Sequence, residues 1–234
     1  MVVTSANPNA VPYSLLPMFI VGTDTDVGKT YVASIIARQL HAAGHRVGVY
    51  KPVASGCRAE GGQLVSDDAV ALWNAAGQPG TLDEVCPQRF RAPLAPNVAA
   101  RVEGKAVDDA QLRAGLEVWR KRSEVVVVEG AGGWFSPLSD RTLVSDLAEE
   151  FGYPVVIVAR NALGTINHTL LTIAAVRAST KLAIAAVVLN RVSEATDGSE
   201  ATNREELAKR TDVPILELAW RGALHIEDLI GILR

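Results

Sequence analysis

The chain has 234 residues, of which 21% are charged and 48% hydrophobic, and its net charge is −3 at pH 7. That balance excludes a disordered polyelectrolyte and a broadly cationic surface of the kind used to bind nucleic acid. Only 5% of the residues are aromatic, and the abundance of Ala and Val fits an α/β protein better than a β-sandwich.

At this length one core burying roughly 70–75% of the unfolded surface is the simplest arrangement. Residues 1–17, with Ser5, Asn7, Pro8, Asn9, Pro12 and Pro17, read as a loosely ordered extension, and residues 18–234 as one domain. No Lys or Arg precedes Lys29, which argues against a basic secretory leader and an Arg-rich transit peptide, so a cytoplasmic location is expected. Cys57 and Cys86 form no CxxC and read as two free thiols of a reducing compartment. The apolar runs stop well short of the roughly 18 residues a membrane span needs.

Met18-Phe19-Ile20 reads as the first strand and Tyr31–Leu40 as the first helix, with Val21-Gly22-Thr23-Asp24-Thr25-Asp26-Val27-Gly28-Lys29-Thr30 between them. A glycine loop between strand and helix that ends in Gly-Lys-Thr is a phosphate site. Its backbone amides, including those of Asp26, Val27 and Gly28, can approach a polyphosphate, and the helix start adds a positive dipole end. Lys29 supplies a full charge for the β- and γ-phosphates, and the Thr30 hydroxyl suits Mg²⁺. Five residues separate Gly22 from Gly28 where the common loop has four, so a variant P-loop is expected.

Arg46–Tyr50 reads as the second strand. Its end puts Lys51 on the rim of the phosphate loop, because open parallel sheets bind ligands beyond the carboxyl ends of their strands. Pro52 stops the strand and holds Lys51 extended. Residues 57–65 read as irregular, and Ser66 or Asp67 caps a helix carrying Asp68. An acidic pair there is commonly helix compensation. Residues 77–107 hold seven Pro or Gly and read as a long ordered loop with a short helix at most.

Asp108 opens a helix to about Arg122 with Leu112, Leu116 and Trp119 at core spacing. Val125–Val128 is the third strand, closed by Glu129-Gly130-Ala131-Gly132-Gly133. A carboxylate at such a strand end downstream of a P-loop is placed to hold Mg²⁺, and the following glycines free backbone amides for phosphate or substrate. Leu143–Phe151 reads as helix, Val155–Ala159 as strand, and Asn161–His168 opens a further helix to Arg177, with His168 a surface or capping residue. Ala183–Leu189 is a strand ending at Asn190, residues 192–203 read as polar and mobile, Arg204–Arg210 as helix, Val213–Leu218 as strand and Leu224–Leu233 as a terminal helix. The alternation predicts a doubly wound, mainly parallel α/β sheet of the long-loop P-loop type.

The long loop Gly22–Thr30, the segment Tyr50-Lys51-Pro52-Val53-Ala54-Ser55-Gly56, Asp68, the run Glu129-Gly130-Ala131-Gly132-Gly133-Trp134-Phe135 and Leu163-Gly164-Thr165-Ile166-Asn167-His168 together resemble the dethiobiotin synthetases over about residues 18–190. The resemblance implies an ATP- and Mg²⁺-dependent cyclo-ligase of biotin synthesis that joins CO₂ to 7,8-diaminononanoate through a carbamate and a mixed carbamic-phosphoric anhydride. It makes Lys51, Lys29 and Thr25 catalytic, and Thr30, Asp68 and Glu129 the metal ligands. Gly132 then lies near phosphate or substrate, Asn190 meets the adenine, and Ser55 bonds the carbamate. It also implies a homodimer with its site near the interface, where Leu163, Gly164, Thr165 and Asn167 of the other subunit receive the substrate carboxylate. Ala219-Trp220 stands where the family often has Pro-Trp, and residues 192–212 match poorly.

Partition and division-site ATPases share the long loop but carry a second lysine early in it, where this chain has Thr23, Asp24, Thr25 and Asp26. Neither a nucleic acid nor a membrane is expected as a partner.

Overall fold

A computed structural model describes residues 17–224. The extension expected over residues 1–17, Pro17 apart, and the terminal helix expected over Leu224–Leu233, Leu224 apart, fall outside the described residues.

The first strand, β1 (Met18–Gly22), is buried along its whole length, and it is followed by α1 (Lys29–Ala42). β2 (Val47–Tyr50) comes next, then a two-residue strand, β3 (Val53–Ala54). Residues 57–65 are not irregular as expected. They form a small antiparallel hairpin of β4 (Arg58–Glu60) and β5 (Gln63–Val65). Gly61 and Gly62 turn it with φ of 58° and 82°, the left-handed pair that suits a two-residue hairpin turn. Its strands are three residues each, too short for an apolar alternation to announce them.

Ser66 caps α2 (Asp67–Ala75) by accepting from the Ala69 N–H at 3.3 Å. The expected loop over 77–107 is more ordered than its Pro and Gly content suggests. It holds α3 (Leu82–Val85), β6 (Gln88–Arg89) and α4 (Pro96–Val102). Thr81 and Glu84 form a capping box on α3, Pro96 occupies the first turn of α4, and β6 pairs in parallel with β3. Buried Val85, Cys86, Phe90, Ala99 and Ala100 anchor the stretch, and Trp119 Nε1 donates to the Glu84 carbonyl at 3.2 Å.

Asp108 caps α5 (Asp109–Arg122), and Leu112, Leu116 and Trp119 are fully buried. β7 runs from Val125 to Gly133, well past the apolar run, because Gly133 still pairs with Gly22 of β1 after a shift in register. Then follow α6 (Val144–Phe151), β8 (Val155–Arg160), α7 (Thr165–Ser179) and β9 (Ile184–Asn190). α8 (Glu200–Ala208) begins four residues before the expected Arg204, and β10 (Ile215–Leu218) ends the described sheet.

Six strands form one parallel sheet in the order β10-β9-β8-β1-β7-β2. The central strands are continuous apolar runs because helices cover both faces of such a sheet. The Phe151 ring packs against both Phe19 and Tyr50, with centroids 6.3 and 6.4 Å away. The carboxyl ends of the parallel strands share one rim, from which the phosphate loop after β1, Lys51 after β2 and Asn190 of β9 face one another.

Candidate active site

The phosphate loop leaves β1 and bends sharply before α1. Asp26 and Gly28 adopt φ of 57° and 91°. A side chain at Gly28 is excluded twice over, since a Cβ there would lie 2.0 Å from Asn190 Nδ2. Asn190, at the end of β9, uses that nitrogen to donate to the Val27 carbonyl at 2.9 Å, bracing the back of the loop. α1 begins at Lys29, so its first amides are free of intrahelical partners at the mouth of the loop. Lys29 Nζ arches over the loop to the Asp24 carbonyl, 2.9 Å away. Burial and the charge of Lys51 together hold the Lys29 ammonium below the usual lysine range.

Beside this loop sits a group of charges drawn from three parts of the chain. Lys51, at the end of β2 and only 3% exposed, donates to Asp68 Oδ2 at 2.8 Å and to Glu129 Oε1. Thr30 Oγ1 donates to the same Glu129 oxygen at 2.9 Å. Burial works against the Lys51 charge, but Glu129 and Asp68 outweigh it and raise the ammonium above its ordinary value. The Lys51 charge lowers the Asp68 carboxyl. Glu129 moves the other way, because burial raises it by more than Lys51 lowers it. Its second oxygen, Oε2, is buried without a hydrogen-bond partner. A buried carboxylate oxygen left unpaired is costly, and with Thr30 and Asp68 it makes an all-oxygen donor set of the kind a hard divalent cation takes.

These groups line a cleft of about 990 Å³. Thr25, Asp26, Gly28, Lys29, Thr30, Lys51, Ser55, Asp68, Glu129, Gly132 and Asn190 all face it, so most of the residues singled out in the sequence converge in one place. Val27 is buried behind the loop and contributes its carbonyl to Asn190. Leu163, Gly164, Thr165 and Asn167 do not line the cleft, although they do form the start of α7. The cleft is also lined by Pro93–Pro96 before and at the start of α4, by Ser136 after β7, by Arg221 after β10 and by Trp220, noted in the sequence only as a departure from the family pattern. Pro93–Pro96 belong to the long 77–107 segment, whose length in the sequence is that of a binding segment or lid.

A variant phosphate loop at the end of the central strand, facing a second buried lysine and two carboxylates, defines a P-loop ATP-using enzyme. A family model described as an AAA domain matches residues 17–220. The chain is 45% identical over 210 residues to the ATP-dependent dethiobiotin synthetase BioD of Rhodopirellula baltica, covering 85% of this chain and 81% of that one. It is 43% identical over 204 residues to the protein of that name from Anaeromyxobacter dehalogenans strain 2CP-C, covering 87% and 89%. It is 39% identical over 198 residues to that of Aromatoleum aromaticum, covering 85% and 87%. The chain belongs to the dethiobiotin synthetase family.

Proposed function

We propose that this chain is an ATP-dependent dethiobiotin synthetase of biotin biosynthesis, a cyclo-ligase that closes 7,8-diaminononanoate and CO₂ into a cyclic urea. The observation that carries the reading is the pairing of Lys29 and Lys51 across one cleft. The chemistry brings a carbamate anion up to the polyanionic γ-phosphate, and concentrated positive charge in a water-poor site is what offsets their repulsion.

One substrate amine attacks CO₂, forms an N–C bond and loses a proton to give the carbamate. A carbamate oxygen attacks the γ-phosphorus and ADP leaves. The second amine then attacks the carbonyl carbon, phosphate departs and the ring closes with loss of a proton. Lys51 holds the carbamate and the mixed anhydride, and Ser55 hydrogen-bonds the carbamate. Thr25, Lys29 and the amides of Asp26, Val27 and Gly28 bind the transferring phosphoryl group, Gly132 lies beside it, and Asn190 lies on the base side. Thr30, Asp68 and Glu129 would hold Mg²⁺, as the unpaired Glu129 Oε2 and the all-oxygen donor set support. Bound there, the ion would offset charge on the β- and γ-phosphates.

The start of α7 receives the substrate carboxylate for the neighbouring subunit of a homodimer, which fits its place outside the cleft of its own chain. Residues 18–234 act as one domain, and the enzyme works in the cytoplasm. No helix among the described residues is long and apolar enough to cross a membrane. The test is phosphate release from ATP and Mg²⁺ with bicarbonate, with and without diaminononanoate, while mass spectrometry looks for the cyclic urea. Release that requires the diamine and yields the urea is expected. ATP hydrolysis indifferent to the diamine would overturn the reading.

A further inference from the structure

The segment after β9 lacks the apolar pattern of an ordered element, yet it is bound tightly to the turn that opens α7. Asn203 of α8 is 3% exposed and Asn161, at the end of β8, 8%. Asn203 Nδ2 donates to Asn161 Oδ1 at 2.8 Å and lies 3.4 Å from the Ala162 carbonyl and 3.3 Å from Ser199 Oγ. Asp197 accepts from the Leu163 N–H at 2.7 Å. From the other side, the Asn161 N–H donates to the Asn190 carbonyl at 2.8 Å. The turn therefore has its polar groups tied, residue by residue, to the 190–203 segment. Helix propensity alone does not aim α7, because Gly164 precedes it in a left-handed conformation with φ of 93° and no side chain caps it.

We propose that Asn203 is a positioning residue for substrate recognition, fixing the 161–164 turn and so the direction of the first turn of α7. The proposal rests on the reading that this turn receives the substrate carboxylate. Asn203 touches no substrate itself. It acts through Asn161 and Ala162, and loss of its bonds lets the turn drift while the phosphate loop stays braced by Asn190. Small displacements of a recognition element cost binding steeply even when the changed residue lies elsewhere.

The experiment compares wild type with Asn203→Ala and, should that variant fail to fold, Asn161→Ala, which removes the acceptor of the same bond. Each is assayed for KM towards ATP, towards 7,8-diaminononanoate and towards 7,8-diaminononane, which lacks the carboxylate. Expected is a rise of about tenfold in KM for diaminononanoate, with KM for ATP and for the carboxylate-free diamine unchanged within about twofold. The double variant is then no worse than Asn203→Ala alone, because the bond that Asn161→Ala removes is already lost there. An equal rise for all three substrates, or no rise at all, would overturn the proposal and leave Asn203 a structural residue. A wild type that does not distinguish the two diamines would overturn the α7 reading and this proposal with it.

Discussion

Thr30 and Glu129 lie 99 residues apart in sequence, and the Thr30 hydroxyl donates to Glu129 Oε1 at 2.9 Å. The bond joins the first turn of α1 to the middle of β7, which the parallel pairing of β1 with β7 sets beside the phosphate loop. Thr30→Val keeps the shape and removes the hydroxyl, leaving Glu129 with Lys51 alone. Turnover should fall by about 10² while Thr30→Ser stays within about tenfold of wild type. Steady-state kinetics at saturating ATP checks both, and a valine variant as active as the serine one would remove the hydroxyl from the mechanism.

Lys51 compensates Asp68 and Glu129 at once, so its removal has a structural as well as a chemical effect. Lys51→Gln should leave ATP binding within a few fold and lower turnover by roughly 10² or more. Lys51→Met should also lower folding stability by about 3 kcal/mol, since it leaves a fully buried carboxylate without its ammonium. Added Mg²⁺ should restore part of that loss. Urea denaturation with and without the ion measures it, and a midpoint indifferent to Mg²⁺ would count against Thr30, Asp68 and Glu129 as its ligands.

The acid limb of stability should depend on Asp68. Its carboxyl is lowered in the folded state by the Lys51 charge, from an ordinary value of 3.8. A lowered carboxyl stabilises the fold above the unfolded value, and that stabilisation is lost as pH falls through the folded one. Wild type should thus exceed Asp68→Asn in stability at neutral pH and lose the advantage in strong acid. Equal stabilities at pH 7 would show that the surface water reaching Asp68 screens the pair away.

Both thiols should be silent in the native protein. Burial pushes Cys86 up to about 12 and raises Cys57 as well, so neither offers thiolate near neutral pH. A chromogenic disulfide reagent at pH 8 should label both in denaturant and neither in buffer. Rapid native labelling would mean that the β3–β6 region opens on its own.

Much of the fold was legible because its signals are local and strong. The runs Val125–Val128 and Val155–Ala159 have no polar interruption, and each became a central strand. The site was legible because parallel strands open onto one rim, so the phosphate loop after β1 and Lys51 after β2 must face each other, with Glu129 of the intervening β7 between them. The signals that were passed over were chemical rather than periodic: the Gly61-Gly62 turn and the Thr81–Glu84 capping box. Others had no sequence signal at all. Asn203 sits in a polar stretch like any surface asparagine, and only its burial against Asn161 distinguishes it.

The position of β1 in the sheet also sets a timetable for biosynthesis. Its two partners, β7 and β8, begin at Val125 and Val155. A ribosome adding about 5–20 residues each second needs on the order of ten seconds to make the second of them after β1 has emerged. Until β7 is made the nascent chain displays Met18-Phe19-Ile20-Val21 with neither neighbour in place, and until β8 follows it has a partner on one side only. A segment fully buried in the finished enzyme therefore waits long for shelter, and is one a cellular holdase would meet early.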